Sequence, residues 1–423
     1  MGIKEDLPSL VLLPKIVMTL NKSPDPQRKK LGGWILAGTV SMGALLCLVS
    51  IAIFLTSCST DLPSEASSRI FNKLSIEYVG EYIIPDNFQF KKTTVGGLSG
   101  LTYDRQRDLF YAISDDRGNI APARFYTLKL NLDRQNSQVK LTKVDITDVT
   151  LLKQANGETY PPGQTDTEAI ALTPQSSVFI TSEGDRGKNI PPFINEFALQ
   201  TGIAKQALPT PERYLPDTEG KRGVQNNLAF ESITLSPIGT LPAAGEPLRL
   251  FAATESSLMQ DKVVAKVGED GKIPGAKNRW IHYLLSNRPE IISEHLYQLD
   301  PPPLGAIEHG LSEIQALDTS GHFLTLERSF GLFGFRVKLF QTSMAGATDT
   351  SKIASFKGNT TIQPIKKQLA FDLKTLDIRL DNLEGMALGA RLPDGSQTLL
   401  LVSDNNFTNK QITQVLLFKL KQG

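Results

Sequence analysis

The sequence predicts an all-β fold, a β-propeller of four-stranded antiparallel blades preceded by an N-terminal transmembrane or signal helix. Three observations lead there. A strand–turn–strand pattern recurs five times, with copies 63 to 82 residues apart. Each copy is followed by short runs rich in β-branched and aromatic residues, bounded by turn residues. No stretch of useful length with helical period occurs in the body of the chain. Four strands in each repeat of roughly 70 residues suit a propeller.

The N-terminal elements come first. Residues 1–30 form a basic leader ending in Arg28, Lys29 and Lys30. Residues 31–57 contain the uncharged run WILAGTVSMGALLCLVSIAIFL (34–55), long enough to cross a bilayer. The positive-inside bias keeps the leader in the cytoplasm and exports the remainder of the chain. Leu55-Thr56-Ser57-Cys58 has the form of a lipobox, with Cys58 as the lipidated residue. An uncleaved helix anchoring the chain is the competing reading. Cys47, inside the run, is read as packing. Residues 58–73 read as a tether, and 74–423 as the propeller, on the periplasmic or extracellular side.

The five copies are GGLSGLTYDRQRDLFYAISDD (96–116), DTEAIALTPQSSVFITSEGD (166–185), AFESITLSP with LRLFAATES (229–256), LSEIQALDTSGHFLTLERS (311–329) and DNLEGMALGARLPDGSQTLLLVSDNN (381–406). Third strands follow at 124–130, 193–199, 281–286, 335–340 and 413–420, and fourth strands fit at 139–149 and 366–376. The last copy runs out after three strands. LSIEYVGEYII (74–84) is a strand without a copy of its own, and it can close the ring as the missing outer strand. Five blades are counted, and a sixth could hide in 257–310.

The repeat also aligns chemistry. Ser99, Glu168, Glu231, Glu313 and Glu384 open the first strands, and Asp115, Glu183, Glu255, Glu327 and Asp404 close the second. First strands line a propeller's channel, so an acidic funnel is expected there. Repeated acids can also staple blades through backbone N–H groups. Converging glutamates are costly without cations or bound basic groups, which favours a metal or a functional site over stapling alone. Ca²⁺ is the expected ion, because it takes six to eight oxygen ligands. Asp115, Glu183, Glu255, Glu313 and Asp404 are its expected ligands, with Glu231, Glu168 and Glu384 as catalytic groups. Arg117, Arg186 and Arg328 each follow a closing acid within three residues and suit phosphate.

The segments GGLSGLTYD, ISDD, DTEAIAL, TSEGD, NNLAFESITLSP, LERS, NLEGMALG and VSDNNF resemble the phytase-like domain family, "esterase-like activity of phytase", from about 74 to 421. The resemblance implies a propeller, a bacterial exported or membrane-associated protein, and hydrolysis of phosphate or carboxylic esters. The chain departs from the family pattern at Asn226-Asn227-Leu228-Ala229-Phe230-Glu231-Ser232, where Arg and Gly neighbours are usual; Asn227 is taken as substrate-binding by adaptation.

Other chemistries find no support. Lys+Arg 45 against Asp+Glu 44 leaves +1, without a field for nucleic acid. Two cysteines exclude a disulfide scaffold and a thiolate zinc cluster. His282, His295, His309 and His322 form no zinc-protease motif, and no G-x-S-x-G elbow or P-loop occurs. The expectation is a membrane-tethered monomeric hydrolase of phosphate esters or other small esters. A ligand- or partner-binding propeller without catalysis, or a lactonase-like propeller, is the alternative.

Overall fold

The computed structural model describes residues 70–135, 138–236, 247–262 and 273–423. The anchor, the lipobox Cys58 and Cys47 lie outside them. Among the described residues, helical content is confined to four 3-10 turns, and none forms a helix long and apolar enough to cross a membrane.

Five four-stranded antiparallel sheets follow one another along the chain. Blade 1 begins after β1 (Leu74–Ile84) and a small hairpin of β2 (Gln89–Phe90) and β3 (Thr93–Thr94). It contains β4 (Leu98–Asp104), β5 (Leu109–Ser114), β6 (Arg124–Gln135) and β7 (Gln138–Leu151). Blade 2 contains β8 (Thr167–Leu172), β9 (Ser177–Ser182), β10 (Phe193–Ala198) and β11 (Ala204–Ala207). Blade 3 contains β12 (Phe230–Ser236), β13 (Leu248–Thr254), β14 (Lys277–Leu285) and β15 (Glu290–Gln298). Blade 4 contains β16 (Ala306–Ala316), β17 (His322–Gly331), β18 (Gly334–Ser343) and β19 (Lys366–Asp372).

Blade 5 has β20 (Leu383–Arg391), β21 (Gln397–Ser403) and β22 (Thr413–Gln422), and its outer strand is β1. β1 pairs with β22 from Leu74↔Gln422 to Ile84↔Thr413. The first strand of the body thus covers the edge the last blade would leave open. The described part of 257–310 supplies no sixth blade: it forms a turn at Met259–Asp261, the two outer strands of blade 3 and the start of β16.

The inner strands β4, β8, β12, β16 and β20 stand side by side in that order around the axis, and β20 meets β4. Their sides are packed by five apolar clusters, one between each pair of neighbouring blades. Leu98, Tyr126, Leu400 and Val415 join blades 1 and 5. Ile113, Phe125, Ile170 and Ile180 join blades 1 and 2. Phe230, Leu250 and Ile281 meet Ala169 and Phe179 of blade 2. Trp280 and Phe323 join blades 3 and 4, and Leu326, Leu339, Leu401 and Phe418 join blades 4 and 5. Inner strands are apolar on both sides because both faces are covered by neighbouring blades.

At the axis there is little room. A Cβ on Gly100 would lie 2.7 Å from the Glu168 carbonyl oxygen, and one on Gly385 would lie 3.1 Å from Gly100 Cα. Small residues at this level let five strands converge without a wide pore.

Candidate functional site

The start of each inner strand carries a β-bulge, and the bulges aim the site. In blade 1 the ladder steps from Leu98↔Ser114 to Gly100↔Ile113 and skips Ser99. Glu231 is skipped in the same way in blade 3 and Glu384 in blade 5, and Glu168 lies in the irregular step of blade 2. A bulged residue leaves the ladder and its side chain is re-aimed. Glu168, Glu231 and Glu384 thereby point to the mouth of the ring, and all three are buried.

Blade 4 corrects the repeat alignment by one residue. Its ladder steps from Leu311↔Glu327 to Glu313↔Leu326, so Ser312 occupies the bulge. Glu313 falls one place later, at the level of Gly100, Ala169, Ser232 and Gly385. One step along a strand sends a side chain to the other face. The Glu313 carboxylate sits between inner strands, where Oε1 accepts from Ile314 N at 2.9 Å and Ile233 N at 3.4 Å. It does not line the mouth with the other acids. Burial pushes its carboxyl well above the usual range, against the pull of those amides.

The closing residues follow the same shift. The backbone N–H of Asp115 donates to Gly97 O, Glu183 N–H to Asp166 O, Glu255 N–H to Ala229 O and Asp404 N–H to Asn382 O. In blade 4 the residue opposite the matching carbonyl, Gly310, is Arg328. The closing ring is therefore four acids and one arginine. Glu327 lies elsewhere: it accepts from Tyr297 Oη at 2.8 Å and Lys367 Nζ at 2.5 Å.

Seven carboxylates of the two rings, from Asp115, Glu168, Glu183, Glu231, Glu255, Glu384 and Asp404, together with Arg328, line the floor of a cavity of about 1300 Å³. Arg328 is 7 % exposed; its Nη2 lies 3.2 Å from Glu255 Oε1 and 3.5 Å from Glu384 Oε1, and its Nη1 lies 3.3 Å from Glu308 Oε2. Gly310 makes space for Glu255, whose Oε1 would lie 2.3 Å from a Cβ there.

So many acids cannot all ionise cheaply. Burial, then each other's charge, pushes Asp115, Glu168, Glu231 and Asp404 well above the usual carboxylate range. Glu183 moves the same way, although it accepts a hydrogen bond from Ala229 N–H of the next blade, a staple between blades. Burial lifts Glu255 and Glu384 to about 7, with Arg328 holding each down. Burial lowers Arg328 less than its acidic neighbours, Glu384 first, raise it.

Among the described residues, two sets of three acids could hold a metal: Asp115, Asp166 and Glu168, and Glu168, Glu183 and Glu231. In each, one carboxylate oxygen per residue lies within 4.8 Å of the others. Glu168 belongs to both. Asp166 is a site residue that the repeat pattern does not single out. Its signal is the D-x-E spacing of Asp166-Thr167-Glu168, which puts both acids on one side of an extended chain.

The expected cations divide. Arg117 reaches the floor from the rim. Its Nε donates to Asp166 Oδ1 at 2.6 Å, and its guanidinium also bonds Asn227, which lines the cavity. Arg186 turns away; its Nη1 donates to the carbonyls of Arg222 at 3.0 Å and Val224 at 2.8 Å, and it holds that loop in place. His309 lines the cavity wall, with Nδ1 2.8 Å from Ser329 Oγ.

Solved structures with similar architecture include endo-arabinase from Bacteroides thetaiotaomicron, at 10% identity and TM-score 0.36, covering 78% of this chain and 96% of that one. Another is the calcium-binding protein regucalcin from Agrobacterium tumefaciens, at 12% identity and TM-score 0.29, covering 78% and 93%. A third is a β-fructofuranosidase from Bombyx mori, at 8% identity and TM-score 0.33, covering 77% and 62%. Likenesses of this size say nothing about substrate. No curated protein matches the sequence. A family model does match: it spans residues 93–407, all the acids and Arg328 included, and the chain belongs to the phytase-like family, described as esterase-like activity of phytase.

Proposed function

We propose that the acidic mouth is the centre of a hydrolase acting on phosphate esters or other small esters, with Ca²⁺ held by its carboxylates. One observation carries this reading. Seven carboxylates of the two rings, drawn from four blades, converge with Arg328 at the floor of one cavity. Contacts between blades account for Glu183, on Ala229 N–H, and for Glu255 and Glu384, on Arg328, but not for Asp115, Glu168, Glu231 and Asp404. Hard oxygen donors on several sides fit calcium.

Asp115, Asp166, Glu168, Glu183 and Glu231 would hold the ion. Bound there, it would polarise the carbonyl or phosphoryl oxygen and acidify a water. The chain's own groups do the rest. Glu255 and Glu384, with carboxyls near neutral, can take or give a proton at working pH. Arg328 fixes both and offers positive charge to an oxyanion. Arg117 and Asn227 form a polar rim that orients the substrate.

The chain is further proposed to be exported and membrane-anchored through residues 31–57, as a lipoprotein at Cys58 or through an uncleaved helix, and to act as a monomer. The test uses the full chain, assayed on p-nitrophenyl phosphate, phytate, p-nitrophenyl acetate and a simple lactone, with Ca²⁺ and with EDTA. Metal-dependent turnover lost in Glu231→Gln supports the reading. No turnover of any substrate, with stability indifferent to Ca²⁺, would leave a binding propeller instead.

A further inference from the structure

The cavity has an apolar wall as well as an acidic floor, and the wall belongs to one blade. In the other blades the second strand stops one residue before the closing position, at Ser114, Ser182, Thr254 and Ser403. In blade 4, β17 continues past Arg328 to Gly331, and β16 starts at Ala306, before Leu311. The blade thus rises above the ring on one side. β17 and β18 are joined by Leu332-Phe333, between the paired Gly331 and Gly334.

Tight hairpin turns favour Gly, Asn and Asp. Here the turn presents two large apolar residues, Leu332 at 79% and Phe333 at 66% exposure, beside Ile307 at 73%. Ile307, Phe330, Phe333 and Phe335 face the cavity, and the Phe330 and Phe335 rings pack 4.7 Å apart. A contiguous apolar surface bordering an acidic floor is a feature that folding alone does not explain.

We infer that the cavity takes a carboxylic ester with an apolar acyl chain, the ester group on the acidic floor and the chain along Ile307, Phe330, Phe333 and Phe335. This rests on the hydrolase reading above and selects among its substrates. The wall decides the selection. An apolar acyl chain covers Ile307, Phe330, Phe333 and Phe335, which a phosphate group cannot do; charge does not separate the two, because Arg328, Lys374, Arg379 and Lys410 line the same cavity as the carboxylates. In the reaction, the oxygen of water bonds to the carbonyl carbon, the acyl carbon–oxygen bond breaks, and the alcohol leaves with a proton from that water.

The test measures kcat and KM of the full chain with Ca²⁺ on p-nitrophenyl acetate, butyrate and octanoate and on p-nitrophenyl phosphate. Phe333→Ser is compared with Leu369→Ser, an exposed site on β19 away from the cavity. The expected result is a kcat/KM rising on the order of twofold to fourfold per added methylene, mainly through KM, with the phosphate slower. Phe333→Ser should flatten that rise and Leu369→Ser should keep it. Turnover that ignores chain length, or that favours the phosphate, overturns the inference and leaves the hydrolase reading intact. No turnover of any ester overturns both.

Discussion

Arg328 Nη2 lies 3.2 Å from Glu255 Oε1, both side chains almost wholly buried. The arginine stands where the other four blades carry an acid, so one blade supplies part of the countercharge for the others.

Its removal should therefore be severe. Arg328→Ala strips Glu255, Glu384 and Glu308 of their partner. Breaking a buried pair from one side costs about 3–5 kcal/mol. The melting temperature in EDTA should fall by many degrees, and Ca²⁺ should recover part of the loss. Arg328→Lys keeps the charge but cannot reach three carboxylates with one planar fork; it should fall between. Thermal unfolding of the three proteins decides this, and a wild-type melting temperature for Arg328→Ala in EDTA would contradict the arrangement.

Stability in EDTA should fall as pH rises from about 4.5 to about 7. Glu255 and Glu384 have carboxyls lifted to about 7 in the fold, while in the unfolded chain a glutamate ionises near 4.3. Between those values the folded state holds more protons than the unfolded one, so raising pH favours unfolding. Calcium should reverse the trend, because it binds the ionised acids and only the folded state presents them together. The readout is the melting temperature at pH 5 and pH 7.5, with and without Ca²⁺. The calcium shift should be larger at pH 7.5.

Glu168 and Glu313 should behave oppositely although both hold the same opening position of the repeat. Glu168→Gln removes an acid shared by both candidate metal triads. It should reduce the calcium-induced rise in melting temperature by at least half. Glu313→Gln replaces a buried carboxyl that already favours its neutral form. It should leave the calcium response intact and change stability by about 1 kcal/mol or less. Equal losses in the two variants would contradict the placement of Ser312 in the bulge.

A chain lacking residues 1–85 should not fold into a soluble monomer. It loses the strand that pairs with β22 along its whole length, and with it the partly buried Tyr78, Val79 and Tyr82 that pack on blade 5 and blade 1. The bare edge invites pairing between chains. Gel filtration of the refolded truncation should show aggregate, and adding a synthetic peptide of residues 70–85 should recover monomer.

The blades were legible because strand alternation and turn residues are local signals repeated five times. The third strands at 193–199 and 413–420 and the closing role of 74–84 all follow from them. Blade 3 was harder: its outer strands at Lys277–Leu285 and Glu290–Gln298 come late, after a long connection, and left room for an imagined sixth blade. Seven of the acids lining the floor could be named from the pattern alone. The misplacements in blade 4 share one cause. Leu311-Ser312-Glu313 and Leu326-Glu327-Arg328 each place an acid beside the correct position, and only the strand ladder fixes which neighbour enters the bulge.

The sequence by itself determined the all-β blades and the acidity of the inner strands' ends, because burial, turns and charge are written residue by residue. The tertiary structure alone decided that Arg328 completes the acid ring, that Asp166 joins it, that Glu313, Glu327 and Arg186 turn elsewhere, and that blade 4 raises an apolar wall beside the floor. Those facts depend on register between strands and on distances across the ring between residues up to some 290 positions apart. Bulges set the first, and closure of five blades on one axis sets the second.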